Sequence, residues 1–410
     1  MNRTYTDKVF ELAKISKQVI AVPFALSFRY CNNNCKFCYL QPNMRKIPLP
    51  LDDCKKLSRN CIYWFNENAS RFEPDMSLLV ELIGGELFVM GVDYYQMYYE
   101  TISHMHHIAK DHNIPFTVSL NSNLLLDETH LEMFIGLYNN IKALGIDVEI
   151  MSSYDLWDRF KTESRLLLWK NNLEKVQTAV NQIVTVETIL SKPNIEKYLY
   201  EQNTLESQTL DYLLKNSHKY NVVFNDYVPN KNENIQYVPN NDLVIELYKK
   251  LIDVYGTSIN ALSFLDKYDL DQSDYKSCAY KEECCGPAFG LPGVTEYDTK
   301  LDMEEYGIYK LYCAEIGLVA PWGKSENVIK RSDLYKVDIP EDEWICVKQP
   351  ERVKHYFDNI LGCGHCQFKE RCFKTKRMGC YITHQFKWKE DKCWMKHVFR
   401  YAKDKGIINE

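Results

Sequence analysis

The sequence predicts an α/β fold: a partial (β/α)6 barrel followed by a small cysteine-rich domain. Six short runs of β-type residues recur between amphipathic helical stretches, and such alternation is typical of a parallel sheet. Candidate ligand residues stand near the ends of these runs, as in a (β/α) barrel that is open on one side. Ten of the 15 cysteines lie beyond residue 277, where glycines and turns are also frequent. We therefore expect the barrel first and a second domain after it.

The predicted elements follow one another along the chain. The strand-like runs are Ala21–Phe28, Ser77–Ile83, Pro115–Ser119, Asp147–Met151, Gln182–Val186 and Asn221–Tyr227. Apolar residues at helical spacing predict the helices Tyr94–Ala109, His130–Leu144 and Leu166–Ala179 between them. An Asn-rich stretch at 229–234 indicates a loop, and a helix of about Asn241–Val254 follows it. The predicted regions are an N-terminal helical lead-in over 1–20, the barrel over 21–230, a linker and helix over 231–277, and the cysteine-rich domain over 278–410.

The composition is that of a globular protein with a full core. The chain has 410 residues, of which 45% are hydrophobic and 26% are charged. The longest apolar run near the N-terminus, Val19–Phe28, is too short to span a bilayer and contains Pro23. It also lacks a signal-peptide cleavage pattern, so we expect a cytoplasmic protein without a membrane partner. In such a protein, clustered cysteines indicate metal ligation rather than disulfides.

The charge distribution leaves two interpretations of the C-terminal region. The net charge of −6 does not favour nucleic-acid binding. Residues 369–405, however, carry twelve Lys/Arg against four Asp/Glu, interleaved with aromatic residues. This stretch could be a nucleic-acid surface, or its cations could offset the negative charge of cysteine-ligated clusters. We favour the second interpretation, because no nucleic-acid-binding motif accompanies the basic residues.

A cysteine triplet follows the first predicted strand. Cys31, Cys35 and Cys38 have the spacing C-x3-C-x2-C, which lets three thiolates converge on one site. A structural zinc or iron–sulfur site normally uses four protein ligands, so a cluster with three would leave one iron free. The spacing alone still allows a zinc site. At the end of the second strand, Gly84 and Gly85 precede Glu86, and glycines there permit a close approach of the backbone to a ligand.

The triplet followed by Gly-Gly-Glu one strand later resembles the radical S-adenosylmethionine (SAM) superfamily, over roughly residues 16–230. The resemblance implies that the triplet holds a 4Fe–4S cluster whose free iron binds SAM. An electron donor such as flavodoxin or ferredoxin would then drive cleavage of SAM to a 5′-deoxyadenosyl radical, which abstracts a substrate hydrogen. By the same resemblance, the residues that contact SAM are Tyr39, Gly84, Gly85, Glu86, Ser153, Arg165 and Val228. Arg159 competes with Arg165, and Ser153 or Asp155 could instead cap a helix.

The C-terminal cysteines resemble the SPASM extension of radical SAM enzymes, which carries two auxiliary 4Fe–4S clusters. The resemblance implies that the inner cluster is bound by Cys278, Cys284, Cys313 and Cys380. It implies that the outer cluster is bound by Cys363, Cys366, Cys372 and Cys393. The sequence departs from the family pattern in the long insert before Cys313 and in the seven residues between Cys372 and Cys380. Cys285 and Cys346 are left over, and either could replace a neighbouring ligand.

SPASM enzymes mostly modify peptides or proteins, through crosslinks, thioethers or oxidation of a side chain. We therefore expect a radical SAM oxidoreductase with a peptide or protein substrate. The Cys278-x5-Cys284 spacing is similar to that of sulfatase-maturing enzymes, but Ala314 stands where that subfamily has its aspartate base. Glu315 is the candidate for a displaced base. About thirty residues precede Cys31, which is short for a fused leader-recognition domain. Either a separate protein recognises a leader peptide, or the substrate binds by its core alone.

Two alternatives stay open at this stage. One is a radical SAM enzyme that acts on a nucleotide, a nucleic acid or a small metabolite. The other is a non-catalytic interaction protein that binds zinc or metal clusters. Cys54 and Cys61 are not candidate ligands. They share one apolar helix face with Leu57 and Trp64, so we expect them in the core.

Overall fold

The computed structural model describes residues 10, 20–23, 30–38, 47–227, 236–265, 289–290, 310–313, 318–321, 365–374 and 393–408. Strands and helices alternate through the barrel segment, as predicted. The first elements are β1 (Ile20–Pro23), α1 (Leu51–Asn68), β2 (Leu78–Leu82), α2 (Val92–Asp111), β3 (Phe116–Ser122) and α3 (Glu128–Ala143). Next come β4 (Asp147–Ser153), α4 (Glu163–Val180), β5 (Val184–Leu190), α5 (Lys192–Tyr200), α6 (Leu205–Lys215), β6 (Tyr220–Asp226) and α7 (Asn241–Tyr255). The last are β7 (Phe289–Gly290), β8 (Lys310–Cys313), β9 (Leu318–Pro321), α8 (Lys369–Lys374) and α9 (Trp394–Asp404).

The first six strands form one sheet in the order β1-β2-β3-β4-β5-β6, with β1 and β6 as its end strands. Strands β1 to β4 pair in parallel. Because the spatial order follows the chain order and β1 to β4 are parallel, the connections among these four strands run in the same sense, as in a (β/α) barrel. The three short strands β7, β8 and β9 form a separate antiparallel sheet.

The chain divides into two compact units. The first draws on Met1–Ser153, Arg159–Thr185 and Gly286–Val328, and the second on Tyr154–Asp158, Val186–Cys285 and Ile329–Glu410. The boundaries predicted at residues 230 and 277 stay a prediction. Among the described residues, no helix is both long enough and apolar enough to cross a membrane.

In the first unit, the sheet has two chemically different faces. One face is apolar and fully buried, and its middle row across β2, β3 and β4 consists of Val80, Val118 and Val148. On the opposite face the adjacent row consists of Glu81, Ser119 and Glu149. When apolar helices cover both faces of a parallel sheet, the sequence of each strand is a continuous hydrophobic run. Here apolar and polar side chains alternate along the strands instead, so one face of the sheet belongs to the core and the other is polar.

Helix α1 contributes cysteines to the core of the first unit. Cys54, Cys61 and Trp64 are at most 1% exposed, so the prediction of an apolar helix face is confirmed for them. Burial raises the pKa of the Cys61 thiol well above its ordinary value. These two cysteines therefore serve packing, and they become useful as controls below.

In the second unit, the C-terminal helix α9 packs against α7. The rings of Tyr248 and Trp394 stack with centroids 5.0 Å apart and an interplanar angle of 9°. At the other end of the helix, the Lys405 ammonium lies 2.8 Å from the Asp253 carboxylate. Its hydrogen bond, with that of Tyr401, holds the pKa of Asp253 below its usual range. This docking fixes the helix that begins directly after Cys393.

Candidate functional site

The cysteine triplet lies in the described residues 30–38, a segment without helix or strand that we call the triplet loop. Cys35 is buried, whereas Cys31 and Cys38 are partly exposed. The Cys38 amide donates a hydrogen bond to the Cys35 carbonyl at 3.1 Å, which closes a turn around the last two cysteines. Burial, followed by the nearby Glu86 carboxylate, raises the pKa of the Cys31 thiol to about 12. The other two thiols of the triplet act in the same direction, so the three side chains lie close enough to influence one another.

Such a set of thiols ionises readily only when positive charge is brought to it, as bound iron does. Among the described residues, no three His, Cys, Asp or Glu side chains lie close enough together to hold a single metal ion. The thiols that hold a 4Fe–4S cluster need not converge on one metal ion, because each of them binds a different iron. The three neighbouring thiols of the triplet, one buried and two partly exposed, fit the chemistry of that cluster.

The glycines at the end of β2 permit a close backbone contact with the triplet loop. Gly84 and Gly85 have φ angles of +111° and +135°, a region that L side chains rarely adopt. A Cβ atom added to Gly85 would overlap the carbonyl oxygen of Tyr30, the residue before Cys31. The next amide, that of Glu86, donates to the same oxygen at 2.7 Å. The glycines thus bring the strand end directly onto the loop, and their contact with SAM stays a prediction.

Glu86 is fully buried and joins the ends of two strands. Its carboxylate accepts hydrogen bonds from the Ser122 hydroxyl at 3.0 Å, the Phe88 amide at 3.3 Å and the Asn123 amide. Burial raises the pKa of this carboxyl to about 7, although these bonds and the charge of Arg159 act to lower it. Since both oxygens accept protein donors, the side chain organises the site from within. Its direct contact with SAM stays a prediction.

We expect Glu86→Ala to destabilise the protein by about 3 kcal/mol, because it leaves buried donors without an acceptor. Glu86→Gln keeps the volume and one acceptor oxygen, so we expect about half of that loss. Urea unfolding followed by circular dichroism gives the free energies. The matched control is Glu132→Ala on the exposed side of α3, expected to stay within about 0.5 kcal/mol of the wild type. Equal stability of the two alanine variants would contradict this account.

Asn123 is a site residue that the sequence analysis missed. It directly follows β3, and its side-chain amide donates to Cys31 Sγ at 3.5 Å and to Asn32 Oδ1 at 2.8 Å. Asn32 in turn donates to the Leu125 carbonyl at 2.8 Å. The sequence offered one signal for Asn123, a polar side chain at the end of a parallel strand, where ligand sites occur. Because this strand was predicted to end at Ser119, Asn123 fell several residues beyond the predicted strand end and was not recognised.

Two arginines lie beside the triplet loop. Arg159 is buried, and its guanidinium carbon stands 5.4 Å from the centroid of the Phe37 ring. Its carbonyl accepts a hydrogen bond from the side chain of Asn33 at 3.0 Å. Arg165 reaches the same asparagine through Nη2 at 3.5 Å. The Nε atom of Arg165 is buried and has no hydrogen-bond partner among the described residues.

Ser153 ends β4 and is half-buried. The preceding residue, Ser152, lies on the buried face and accepts a hydrogen bond from Trp169 at 3.2 Å. Ser153 therefore belongs to the polar face of the sheet. The alternative role as a helix cap does not hold for it, because Thr162 caps α4 through a bond to the Arg165 amide. A contact of Ser153 with the SAM ribose stays a prediction.

Several predicted residues lie outside the described residues. They are Tyr39, Val228, Cys278, Cys284, Cys285, Glu315, Cys346, Cys363 and Cys380. Cys313 is the last residue of β8. Cys366 and Cys372 are partly exposed at α8, and Cys393 Sγ accepts the Lys396 amide at 3.2 Å as the cap of α9. Their roles as auxiliary ligands stay predictions.

Neither a protein-family model nor a curated protein sequence matches the chain. Two solved structures of the anaerobic sulfatase-maturing enzyme anSMEcpe do match it, both with bound AdoMet. The native form has a TM-score of 0.56 and 14% identity, covering 96% of this chain and 98% of that chain. The hexahistidine-tagged form has a TM-score of 0.54 and 13% identity, covering 96% and 94%. At this identity the likeness shows a shared fold, and the predicted α/β fold with a partial (β/α)6 barrel is confirmed.

Proposed function

We propose that this protein is a radical SAM enzyme that uses the cleavage of SAM to modify a peptide or protein substrate. The observation that carries the proposal is the contact of the Gly85 backbone with the residue that precedes Cys31. This contact brings the cysteine triplet and the Gly-Gly-Glu run together, so that partly exposed thiols lie beside the glycines that follow β2. The bound AdoMet in the structures of similar fold supports the same ligand.

In this proposal Cys31, Cys35 and Cys38 hold a 4Fe–4S cluster. When bound, the cluster and SAM supply a one-electron reduction that breaks the sulfonium bond and leaves a carbon radical able to abstract hydrogen. The protein residues orient and enclose these groups. The buried Phe37 ring and the Arg159 guanidinium close one side of the triplet loop and keep water from it. Glu86 holds the ends of β2 and β3 in place.

Arg165 is the proposed partner of the SAM carboxylate. A buried guanidinium N–H normally has an acceptor, and the Nε atom of Arg165 has none among the described residues. The bond from its Nη2 to Asn33 keeps the side chain at the triplet loop. Arginine pairs well with carboxylates because its parallel donors match the two oxygens. Ser153, Gly84, Gly85, Tyr39 and Val228 complete the proposed SAM contacts.

We expect Arg165→Ala to weaken SAM binding by about 10- to 100-fold, because a charge-assisted hydrogen bond contributes about 1.5–3 kcal/mol. Isothermal titration of the reconstituted enzyme with SAM measures the change. Lys175→Ala on the same helix is the matched control, since Lys175 forms only an exposed ion pair with Glu128, at 3.6 Å. SAM affinities that are equal in the two variants would exclude Arg165 from the SAM site.

The C-terminal cysteines are proposed to bind two auxiliary clusters, with the ligand sets predicted from the sequence. Cys366 and Cys372 flank the start of α8, and Cys393 begins α9, which is docked onto α7. Cluster ligands on anchored helices would couple cluster binding to folding of this region. An electron donor such as flavodoxin or ferredoxin, and a separate leader-recognition protein, are the proposed partners.

A peptide substrate is supported by the polar face of the sheet. The row Glu81, Ser119 and Glu149 offers carboxylate and hydroxyl groups on the side opposite the core. Such groups can bind the amides of a peptide backbone. Glu315 remains the proposed general base.

The direct test is anaerobic reconstitution with iron and sulfide, followed by SAM and a reductant. Three clusters predict about twelve irons per chain, and cleavage predicts 5′-deoxyadenosine and methionine in equal amounts by mass spectrometry. Zinc in place of iron would favour the non-catalytic alternative. A fully loaded protein that never forms 5′-deoxyadenosine would overturn the proposal. Stimulation by nucleotides but not by peptides would overturn only the substrate class.

A further inference from the structure

We propose that Asn123 is a positioning residue that orients Cys31 and makes the cluster bound by the triplet easier to reduce. This inference rests on the proposed function, since it concerns the cluster held by Cys31. It adds to the triplet and the glycine motif a residue that neither motif contains.

Asn123 connects the two motifs of the site. Its side-chain amide donates to Cys31 Sγ at 3.5 Å, and its backbone amide donates to the Glu86 carboxylate. The residue is only 7% exposed, so both bonds lie where water competes little. Cys31 Sγ accepts a second hydrogen bond, from the Asn33 amide at 3.3 Å. Two N–H donors therefore point at one ligand sulfur.

The turn after β3 holds Asn123 in this orientation. Leu124 has a φ of +52°, an unfavourable conformation for a leucine, and its side chain is fully buried. Hydrogen bonds maintain this turn: the Ser122 hydroxyl accepts the Leu124 amide at 3.0 Å, and Asn123 Oδ1 accepts the Leu125 amide at 2.8 Å. Strained backbone persists only where its surroundings enforce it, and it concentrates at functional sites.

A second element braces the same turn from outside. The side chain of Asn172 on α4 donates to the carbonyls of Leu124 and Leu126, at 2.9 and 2.8 Å. With Oδ1 occupied by the Leu125 amide, the amide nitrogen of Asn123 has only one direction left, which is toward Cys31 and Asn32. The protein's own hydrogen bonds thus hold the donor in place.

Hydrogen bonds to cluster sulfurs are one of the factors that set the reduction potential. A donor at the sulfur stabilises the reduced cluster more than the oxidised one, because the added electron increases the negative charge on the sulfurs. A negative charge on the nearby Glu86 carboxylate acts in the opposite direction, because it disfavours added negative charge at the cluster. Asn123 donates hydrogen bonds to both Cys31 Sγ and the Glu86 carboxylate. It therefore offsets the negative charge of the carboxylate beside the cluster that must accept the electron.

The test is a redox titration of the reconstituted full-length protein, followed by electron paramagnetic resonance. The signal of the triplet cluster is recognised by its change when SAM is added. We expect Asn123→Asp, which keeps the volume and the Oδ1 acceptor but loses the donor, to lower the midpoint potential. A tenfold lower ratio of reduced to oxidised cluster at the wild-type midpoint corresponds to a shift of about 59 mV for one electron. Asn123→Ala removes the donor without adding charge and should shift in the same direction.

Asn34→Asp is the matched control, because Asn34 lies in the same loop with an exposed side chain. It adds the same charge but leaves the bond from Asn123 to Cys31 intact, so only a small shift is expected. Loss of cluster from both Asn123 variants, with iron retained in the control, would equally support the positioning role. Normal loading and an unchanged potential in both Asn123 variants would overturn the inference. A wild-type signal that does not respond to SAM would instead overturn the proposed function.

Discussion

Gly85→Ala is expected to abolish cluster loading and SAM cleavage and to destabilise the fold. The φ of +135° is unfavourable for alanine, and the added Cβ would overlap the Tyr30 carbonyl oxygen. That oxygen cannot move away without breaking its bond to the Glu86 amide. Because Tyr30 directly precedes Cys31, the backbone shift must displace the first ligand of the triplet.

The size of the effect follows from two costs. A side chain forced into this backbone region costs about 1–3 kcal/mol, and loss of the backbone hydrogen bond adds about 1 kcal/mol. We therefore expect a loss of about 3 kcal/mol in the free energy of unfolding, and a fall in bound iron measured after reconstitution. Urea unfolding and iron analysis on the same sample check both.

Gly136→Ala is the control, with the same chemical change and the opposite expected sign. Gly136 lies within α3, and a Cβ added there meets no atom within 4 Å. Alanine in a helix interior is more stable than glycine by about 0.5–1 kcal/mol. A Gly85→Ala protein that is as stable as Gly136→Ala and retains its iron would show that the contact with Tyr30 has no function.

The pair of motifs was predictable from the sequence because each is local. The spacing of Cys31, Cys35 and Cys38 and the run from Gly84 to Glu86 need only neighbouring residues to be recognised. The reason for the glycines was not predictable in the same way. It depends on Tyr30, which is more than fifty residues away in the chain and meets Gly85 only in the folded protein.

The ends of the strands were the least predictable part of the fold. The error at the end of β3 is the reason why Asn123 was not predicted as a site residue. The third strand was predicted to end at Ser119, yet β3 continues to Ser122 by pairing in parallel with β4. Similarly, β5 extends to Leu190 beyond its predicted end at Val186. Pairing with a neighbouring strand outweighs weak local propensity. Extending β3 by three residues is what brings Asn123 to the strand end, where it reaches Cys31.

Replacing the three triplet cysteines with alanine is expected to eliminate 5′-deoxyadenosine formation and about four of the twelve irons predicted for three clusters. The remaining irons belong to the proposed auxiliary clusters. Because Cys31 and Cys38 are partly exposed and only Cys35 is buried, we expect the cluster-free protein to lose about 1 kcal/mol in the free energy of unfolding. Anaerobic activity assays, iron analysis and urea unfolding measure the three quantities.

The matched control is Cys54→Ala combined with Cys61→Ala, whose thiols are at most 1% exposed in the helical core. Both thiols pack in the apolar core and take no part in the proposed cluster. This variant should keep its iron and its activity but lose about 1 kcal/mol per site, because each change leaves a small cavity. The two variants thus separate catalysis from packing: the triplet variant should lose its activity with the smaller loss of stability, and the core variant should lose more stability but keep its activity. If the triplet variant still cleaves SAM, the cysteines that hold the catalytic cluster must be sought elsewhere in the chain.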